Sequence, residues 1–264
     1  MRARIMNALN SFNVLPDGTP QLLAITVAVF VLAGLVKGVV GLGLPTISMA
    51  MLALVMAPAQ AAALLIVPSL ITNLWQARPW PTLLQTLRRI GTMQVGVCMG
   101  TIAGALWLGA PSGHWASVCL GLALVAYAAW GLFGTPPAVP ARHEGVLGAV
   151  VGAITGVITA ATGVFVIPAV PYLQALNLGK NGLIQAMGIS FTVSTVALAA
   201  GLWLNGGYSP AAAGASVLML LPALAGMALG QALRDKLSAR TFKLCFMISL
   251  ALLGAYQVVQ GWPG

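Results

Sequence analysis

The sequence predicts an all-α polytopic membrane protein made of two inverted repeats, each a broken, re-entrant helix hairpin followed by three transmembrane helices. Composition points there first. The 264 residues hold only twelve Lys and Arg and three Asp and Glu, 59% are apolar, and the mean hydropathy is +0.98. A soluble domain carries about a quarter charged residues. The uncharged runs are the second sign: 38–77, 90–141, 145–179 and 181–233 each exceed the roughly 20 residues that one spanning helix needs. The third is a repeat. Gly34-Leu35-Val36-Lys37-Gly38-Val39-Val40-Gly41-Leu42-Gly43-Leu44-Pro45-Thr46, an apolar helix pattern running into glycines and a proline, returns 122 positions later in weaker form as Gly156 to Pro168. Paired interrupted hydrophobic segments in two halves point to a transporter's binding site.

Breaks at Pro, Gly and charged clusters divide the chain into ten helical segments: 21–41, 45–57, 59–77, 90–109, 115–133, 145–162, 164–177, 182–204, 210–232 and 242–260. Hydropathy alone would count about eight helices. Residues 21–133 form the first repeat and 145–260 the second. The linker 134–144 carries Pro136, Pro137 and Pro140, and a polar interruption runs from Gln76 to Arg89. In each half the second segment is short: a 13-residue helix reaches about 20 Å, less than the roughly 30 Å hydrocarbon core, so both are read as half-helices. Residues 1–20, with Arg2 and Arg4, are broken by Asn10, Asn13, Pro16, Asp17 and Gly18. They read as an interfacial segment rather than a cleaved signal peptide.

Charge settles the expected parity. With odd halves, Arg78, Arg88, Arg89, Arg142, Lys180, Arg234, Lys236, Arg240 and Lys243 share one side against Arg2 and Arg4; with even halves the split is nearly equal. Only the first obeys the positive-inside rule, so the repeats are expected to be inverted, with both termini outside the cytoplasm. Glycines four apart (Gly96, Gly100, Gly104; Gly148, Gly152, Gly156; Gly226, Gly230) permit the close backbone contact on which helices in lipid rely. Packing within the chain is the first reading and a homodimer contact the second. Cys98, Cys119 and Cys245 lack metal or redox spacing and are read as packing residues.

Candidate site residues gather at the two breaks. Lys37 is the one charge inside a spanning segment: it faces a polar cavity or an anion, or else snorkels to the interface. Around it, Gly38, Gly41 and Gly43, with Gly163 in the second copy, would let unwound backbone present N–H groups. Pro45 and Pro168 suit the first turn of the half-helix that follows, and helix N-termini seat oxyanions. Thr46 and Ser48, matched by Thr159 and Thr162, could add hydroxyl donors. The next helix of each half brings a polar tier, Ser69, Thr72 and Asn73 against Ser190, Ser194 and Thr195, read either as cavity lining or as hydroxyls bonded to their own helix. Gln94 and Gln185 are weaker candidates.

Other chemistry is not expected. Asp17, Glu144 and Asp235 are the only carboxylates and none falls inside a span, so the buried acid of many cation-coupled carriers is missing. There is no nucleophile–base pair and no metal spacing. The glycines from Gly38 to Gly43 lack the strand–helix context of a dinucleotide fingerprint. No cofactor and no enzyme activity are expected. Although the net charge is +9, the basic residues occupy short loops, as orientation signals do, so nucleic acid is not an expected partner.

These stretches, Gly34 to Pro45, the copy ending at Pro168, and Leu221-Pro222-Ala223-Leu224-Ala225-Gly226-Met227-Ala228-Leu229-Gly230 leading to Leu237-Ser238-Ala239-Arg240-Thr241-Phe242, resemble the sulfite exporter TauE/SafE family over residues 21–260. The resemblance implies transport, usually export, of sulfite or small organosulfonates such as sulfoacetate across the bacterial inner membrane. The chain departs from the family pattern at Ala160, Ala161, Val164 and Phe165, where more glycine is usual. Export also agrees with physics: an anion leaving a negative cytoplasm gains about 2.3 kcal/mol per charge per 100 mV. The expected partners are therefore a small anionic substrate and the lipid bilayer. The expected mechanism has the anion bound between the two breaks while the halves rock. A membrane-embedded anion sensor without turnover, or a permease for a different small anion, is the alternative.

Overall fold

The computed structural model describes residues 20–135, 138–234, 236 and 238–261. The expected interfacial segment with Arg2, Arg4 and Asp17, the linker residues Pro136 and Pro137, and Asp235 lie outside the described residues. Among those described there are ten α-helices and no strand: α1 Pro20–Val40, α2 Leu44–Leu52, α3 Pro58–Gln76, α4 Leu83–Leu108, α5 Gly113–Phe133, α6 Glu144–Thr162, α7 Ala169–Ala175, α8 Gly179–Leu204, α9 Pro210–Leu233 and α10 Ala239–Gly261. All but α2 and α7 are long and apolar enough to cross a bilayer.

Both expected breaks are present, with different lengths from those expected. Helix α1 ends where Gly41 and Gly43 adopt φ +79° and +110°, conformations that a Cβ makes costly. The Gly41 amide closes on the Lys37 carbonyl at 2.8 Å. Pro45 then sits in the first turn of α2, where no intrahelical donor is lost. Helix α6 ends the same way: Gly163 has φ +70° and its amide lies 2.8 Å from the Thr159 carbonyl, a left-handed cap. The chain after Gly163 stays non-helical through Pro168. Pro168 is therefore the N-cap of α7 rather than a first-turn residue, and α7 has seven residues where the segment 164–177 was expected. The polar interruption from Gln76 to Arg89 is also mostly ordered: a 3₁₀ turn at Trp80–Thr82 leads straight into α4.

Glycine contacts fix the helix directions. On α4 and α6, Gly96 meets Ala149 and Ala153, Gly100 meets Ala153, and Gly104 meets Val157 and Ala160. Numbers rise together, so these helices run parallel. On α1 and α9, Val31 meets Gly226 and Leu35 meets Gly230, again parallel. Helices α5 and α10 run oppositely, with Val118 at Gly261, Gly121 at Gly254 and Gly131 at Met247. Helix α8 follows α4, from the Thr86–Gln185 and Gln94–Ser190 hydrogen bonds to the Gly201–Ala105 contact. Helix α3 opposes α4, since the Ala59 amide near its start donates to the Pro111 carbonyl beyond the end of α4. All nine basic residues named above for one side, from Arg78 to Lys243, consequently lie at one end of the bundle, where α4, α6, α8 and α10 begin.

The glycine stripes are thus used within the chain, and they tie one half to the other. Helix α1 locks onto α9, and α4 onto α6. The larger units are a bundle of α1, α2, α3 and α9 and a bundle of α4, α6, α7 and α8, with α5 and α10 paired beside them. Each bundle thus takes a helix from the other half of the sequence.

Two polar contacts repair exposed backbone. Pro68 lies inside α3 and has no N–H to offer the Leu64 carbonyl; the Ser216 hydroxyl of α9 donates to that carbonyl at 2.8 Å. Gln257 of α10 donates to the Ala50 carbonyl at 2.7 Å, satisfying one of the free acceptors at the end of α2. The cysteines differ from expectation: Cys98 and Cys245 are exposed on the outer surface and Cys119 is half-buried, so the first two are not packing residues.

Close backbone contact makes a direct prediction. A Cβ at Gly152 would lie 2.1 Å from the Met93 carbonyl oxygen and one at Gly226 2.0 Å from that of Val31, whereas one at Gly145 meets nothing within 4 Å. Gly152→Ala and Gly226→Ala should each destabilise the detergent-solubilised protein by about 1–3 kcal/mol, read as a lowered Tm, and Gly145→Ala should not.

Candidate functional site

Helices α3 and α8 cross antiparallel, with Gln76 and Ala77 at the end of α3 against Gly188 near the start of α8. This brings the two polar tiers into the interior. Ser69, Thr72 and Asn73 of α3 and Ser190, Ser194 and Thr195 of α8 are all buried to 1% exposure or less. Lys37 reaches the same region from the last turn of α1 and is 5% exposed. It does not snorkel. Its ammonium donates to Asn73 Oδ1, its sole hydrogen bond among the described residues. The only described carboxylate, Glu144, pairs with Arg89 at 2.8 Å near the basic end, so no described acid neutralises Lys37.

The half-helix α2 packs against both α1 and α3 and carries Thr46 and Ser48, each fully buried. The hydroxyls of Thr46, Ser48 and Ser69 and the Asn73 amide nitrogen have no protein partner. Nor do the Leu44 and Thr46 backbone amides find a backbone acceptor at the start of α2. Leaving a buried donor unpaired costs about 1–3 kcal/mol each. The same interior thus holds a cation with one partner, three orphan hydroxyls and an orphan amide nitrogen on α2 and α3, and unpaired amide oxygens at Gln76 and Gln94.

The remaining sequence candidates divide. Gly38 faces away from this region: its Cβ position is 2.3 Å from the Met227 carbonyl oxygen of α9, so it serves helix packing. Gly41 has open space beside it, and Gly43 lies against Val36 and Phe246. The second copy is spent locally. Thr159 and Thr162 donate to the carbonyls of Thr155 and Ile158, and Thr195 donates to that of Phe191. Ser190 accepts from Gln94 Nε2 at 2.9 Å. Nor do the breaks form one shared pocket. Gly41 and Gly43 lie toward the basic end and Gly163 toward the other, with α2 between them, its Met49 touching Gly163. Sequence reasoning missed the Arg89–Glu144 pair and the Gln257 support of α2; both join residues far apart in the chain, and no local pattern announces them.

An all-helical bundle of eight apolar spans, two half-helices and a buried, donor-lined cation has the organisation of a multi-pass membrane carrier. The family model of the sulfite exporter TauE/SafE family matches residues 26–257, and the chain belongs to that family, one of membrane transporters of sulfur anions. Comparisons with curated proteins and with solved structures return no match.

The geometry predicts non-additive effects on stability from the two partners. Lys37→Met leaves the Asn73 amide oxygen without its donor and should cost about 1–3 kcal/mol, and Asn73→Leu leaves the ammonium without its acceptor and should cost about 1.5–3 kcal/mol. Replacing both members of a buried polar contact by apolar side chains of similar volume is often neutral or stabilising, so the Lys37→Met, Asn73→Leu double variant should lose less than the sum of the single losses. Thermal unfolding in detergent measures the cycle; strictly additive losses would contradict this account of the site.

Proposed function

We propose that the protein is a secondary transporter that exports small sulfur oxyanions, sulfite or organosulfonates such as sulfoacetate, across the bacterial cytoplasmic membrane. The observation that carries this reading is the buried Lys37 ammonium, held by Asn73 alone beside the unpaired donors of Thr46, Ser48, Ser69 and Asn73. In this reading the anion sits among Lys37, Asn73, Ser69 and the start of α2, with Ser190 and Ser194 closing the far wall from α8. The two halves are read as inverted repeats, a view supported by matching helices such as α5 and α10 running in opposite directions. Access alternates as the α1–α2–α3–α9 bundle moves against α4–α6–α7–α8, the hydroxyl-lined α3–α8 contact being where the two part.

The basic end is placed in the cytoplasm by the positive-inside rule. Export then runs with the membrane potential: a dianion gains about 4.6 kcal/mol per 100 mV on leaving, from about 2.3 per charge. Expulsion needs no coupling carboxylate.

Two measurements test this. In inside-out vesicles, uptake of radiolabelled sulfite should fall at least about tenfold in Lys37→Met, a loss of roughly 1.4 kcal/mol or more of transition-state stabilisation; undiminished uptake would remove Lys37 from the mechanism. Alkaline phosphatase fused to the C-terminus should be active, since α10 ends opposite the basic face; an inactive fusion would reverse the orientation and the direction argument with it.

A further inference from the structure

At the basic end a cavity of about 390 Å³ is lined by Thr82, Gln85, Thr86, Arg89, Asn181 and Gln185, among others. It is separate from the Lys37 site and no step described so far uses it. Arg89 contributes a half-committed guanidinium: Nε and Nη2 bond Glu144, and Nη2 also bonds the Leu176 carbonyl. Nη1, with two N–H groups, has no partner among the described residues. Asn181 lies in the first turn of α8, where backbone N–H groups have no intrahelical acceptor. Eight more basic residues lie at this end, with Glu144 the one described carboxylate. Arg89 is the one charged residue in the lining, and the excess of basic residues around the mouth favours an anion there.

The inner wall of this cavity is Gln185, 2% exposed, and it fastens three elements. Its Nε2 donates to the Ala77 and Pro79 carbonyls at 3.0 and 2.6 Å. Its Oε1 accepts from Thr82 and Thr86 at 3.1 and 2.7 Å. Ala77 follows α3, in one bundle, while Thr86 and Gln185 belong to α4 and α8, in the other. Of its four hydrogen bonds, the one to the Ala77 carbonyl therefore joins the two bundles at this end, the one to Pro79 reaches the turn between α3 and α4, and those from Thr82 and Thr86 tie α8 to the entry of α4. Inward along the same α4–α8 seam lies the Gln94–Ser190 contact, followed by the buried tier that Lys37 and Asn73 occupy. The order is cavity, latch, polar tier.

We propose that this cavity is the capture subsite for the oxyanion on its way to Lys37, and that Gln185 is the gate between the two. The proposal rests on the transport reading above. Arg89 Nη1 and the start of α8 hold the ion electrostatically in a hydrated site, and release of the Gln185 latch as the bundles part admits it to the interior.

Asn181 gives the cleanest test because it lines the cavity and makes no side-chain hydrogen bond among the described residues. Initial rates of sulfite uptake are measured in inside-out vesicles for the wild type, Asn181→Asp, Asn181→Gln, Asn181→Lys and Gln185→Glu, with Lys236→Gln as a charge control at the same end but outside the cavity. Asn181→Asp should raise KM about fivefold with kcat kept, the scale of one unit charge acting across a few ångströms of solvent-filled space. Asn181→Lys should lower KM, Asn181→Gln should fall between the two charged variants, and Lys236→Gln should match the wild type. Gln185→Glu keeps both acceptor contacts but cannot donate to two carbonyls and repels an anion at the throat; it should lower kcat about tenfold or more. Thermal unfolding of each variant identifies any that fails to fold.

Equal KM across the Asn181 series, with sulfite uptake still dependent on Lys37, overturns the capture subsite alone. Absence of sulfite uptake by the wild type overturns the transport reading and this proposal together. An anionic lipid headgroup offers the same oxyanion chemistry, so the series is repeated in phosphatidylcholine proteoliposomes with and without phosphatidylglycerol. A charge effect that appears only with phosphatidylglycerol assigns the cavity to lipid and overturns the proposal; an effect in both supports it.

Discussion

An ammonium in a nearly dry interior, answered by one amide oxygen, is the constraint around which the rest of this structure is arranged. Desolvating a charge costs several kcal/mol even after a protein relaxes around it, and most folds avoid that cost by pairing or by exposure. Lys37 has neither. It sits one turn before the end of α1, a helix that Gly41 and Gly43 terminate, so the chain can turn back into α2, which packs against both α1 and α3. A continuous α1 would carry the following residues away from α3 and leave Asn73 as the only polar neighbour. The break and the buried charge are one device.

The glycine contacts decide what can move around that device. Where two helices touch backbone to backbone, as at Gly100 against Ala153 and Gly34 against Ala223, there is no side-chain layer to absorb sliding, and packed interfaces switch between discrete arrangements rather than deform continuously. The α1–α9 and α4–α6 pairs are therefore rigid. The contact between α3 and α8 combines both kinds: Gly188 meets the Gln76–Ala77 backbone near the basic end, and the buried hydroxyls and amides of the two tiers lie further in.

Much of this was legible before any coordinates. Ten segments, two of them short, follow from hydropathy punctuated by Gly and Pro, and the left-handed Gly41 and Gly163 stand 122 positions apart, as the repeat implied. Lys37 was marked by being the one charge within a span, and Asn73 by helical spacing with Ser69 and Thr72. What sequence could not reveal is which face each residue presents. Gly38 lies one position from Lys37, about 100° around the helix, and that rotation alone puts it against α9 instead of the site. The matching hydroxyls Thr159 and Thr162 looked equivalent to Thr46 and Ser48, yet they lie in a regular helix whose preceding carbonyls are within reach, whereas Thr46 follows a proline at a helix start with no turn before it to bond to.

That last difference makes the two breaks unequal in chemistry. On the proposed reading of inverted repeats, a duplicated scaffold by itself would support two arrangements of comparable energy, related by exchange of the halves. The unpaired donors nearest Lys37 in the fold, those of Thr46, Ser48, Ser69 and Asn73, belong to α2 and α3, with one more at Thr101 on α4, and the hydroxyls of the second half are mostly committed to their own helices. On the proposed reading the anion is held by one bundle and merely enclosed by the other, so that it travels with α1, α2 and α3 as the bundles part. A ligand gripped equally from both sides would resist their separation in either direction. One gripped from a single side can be bound tightly and still be exposed by moving the opposite wall.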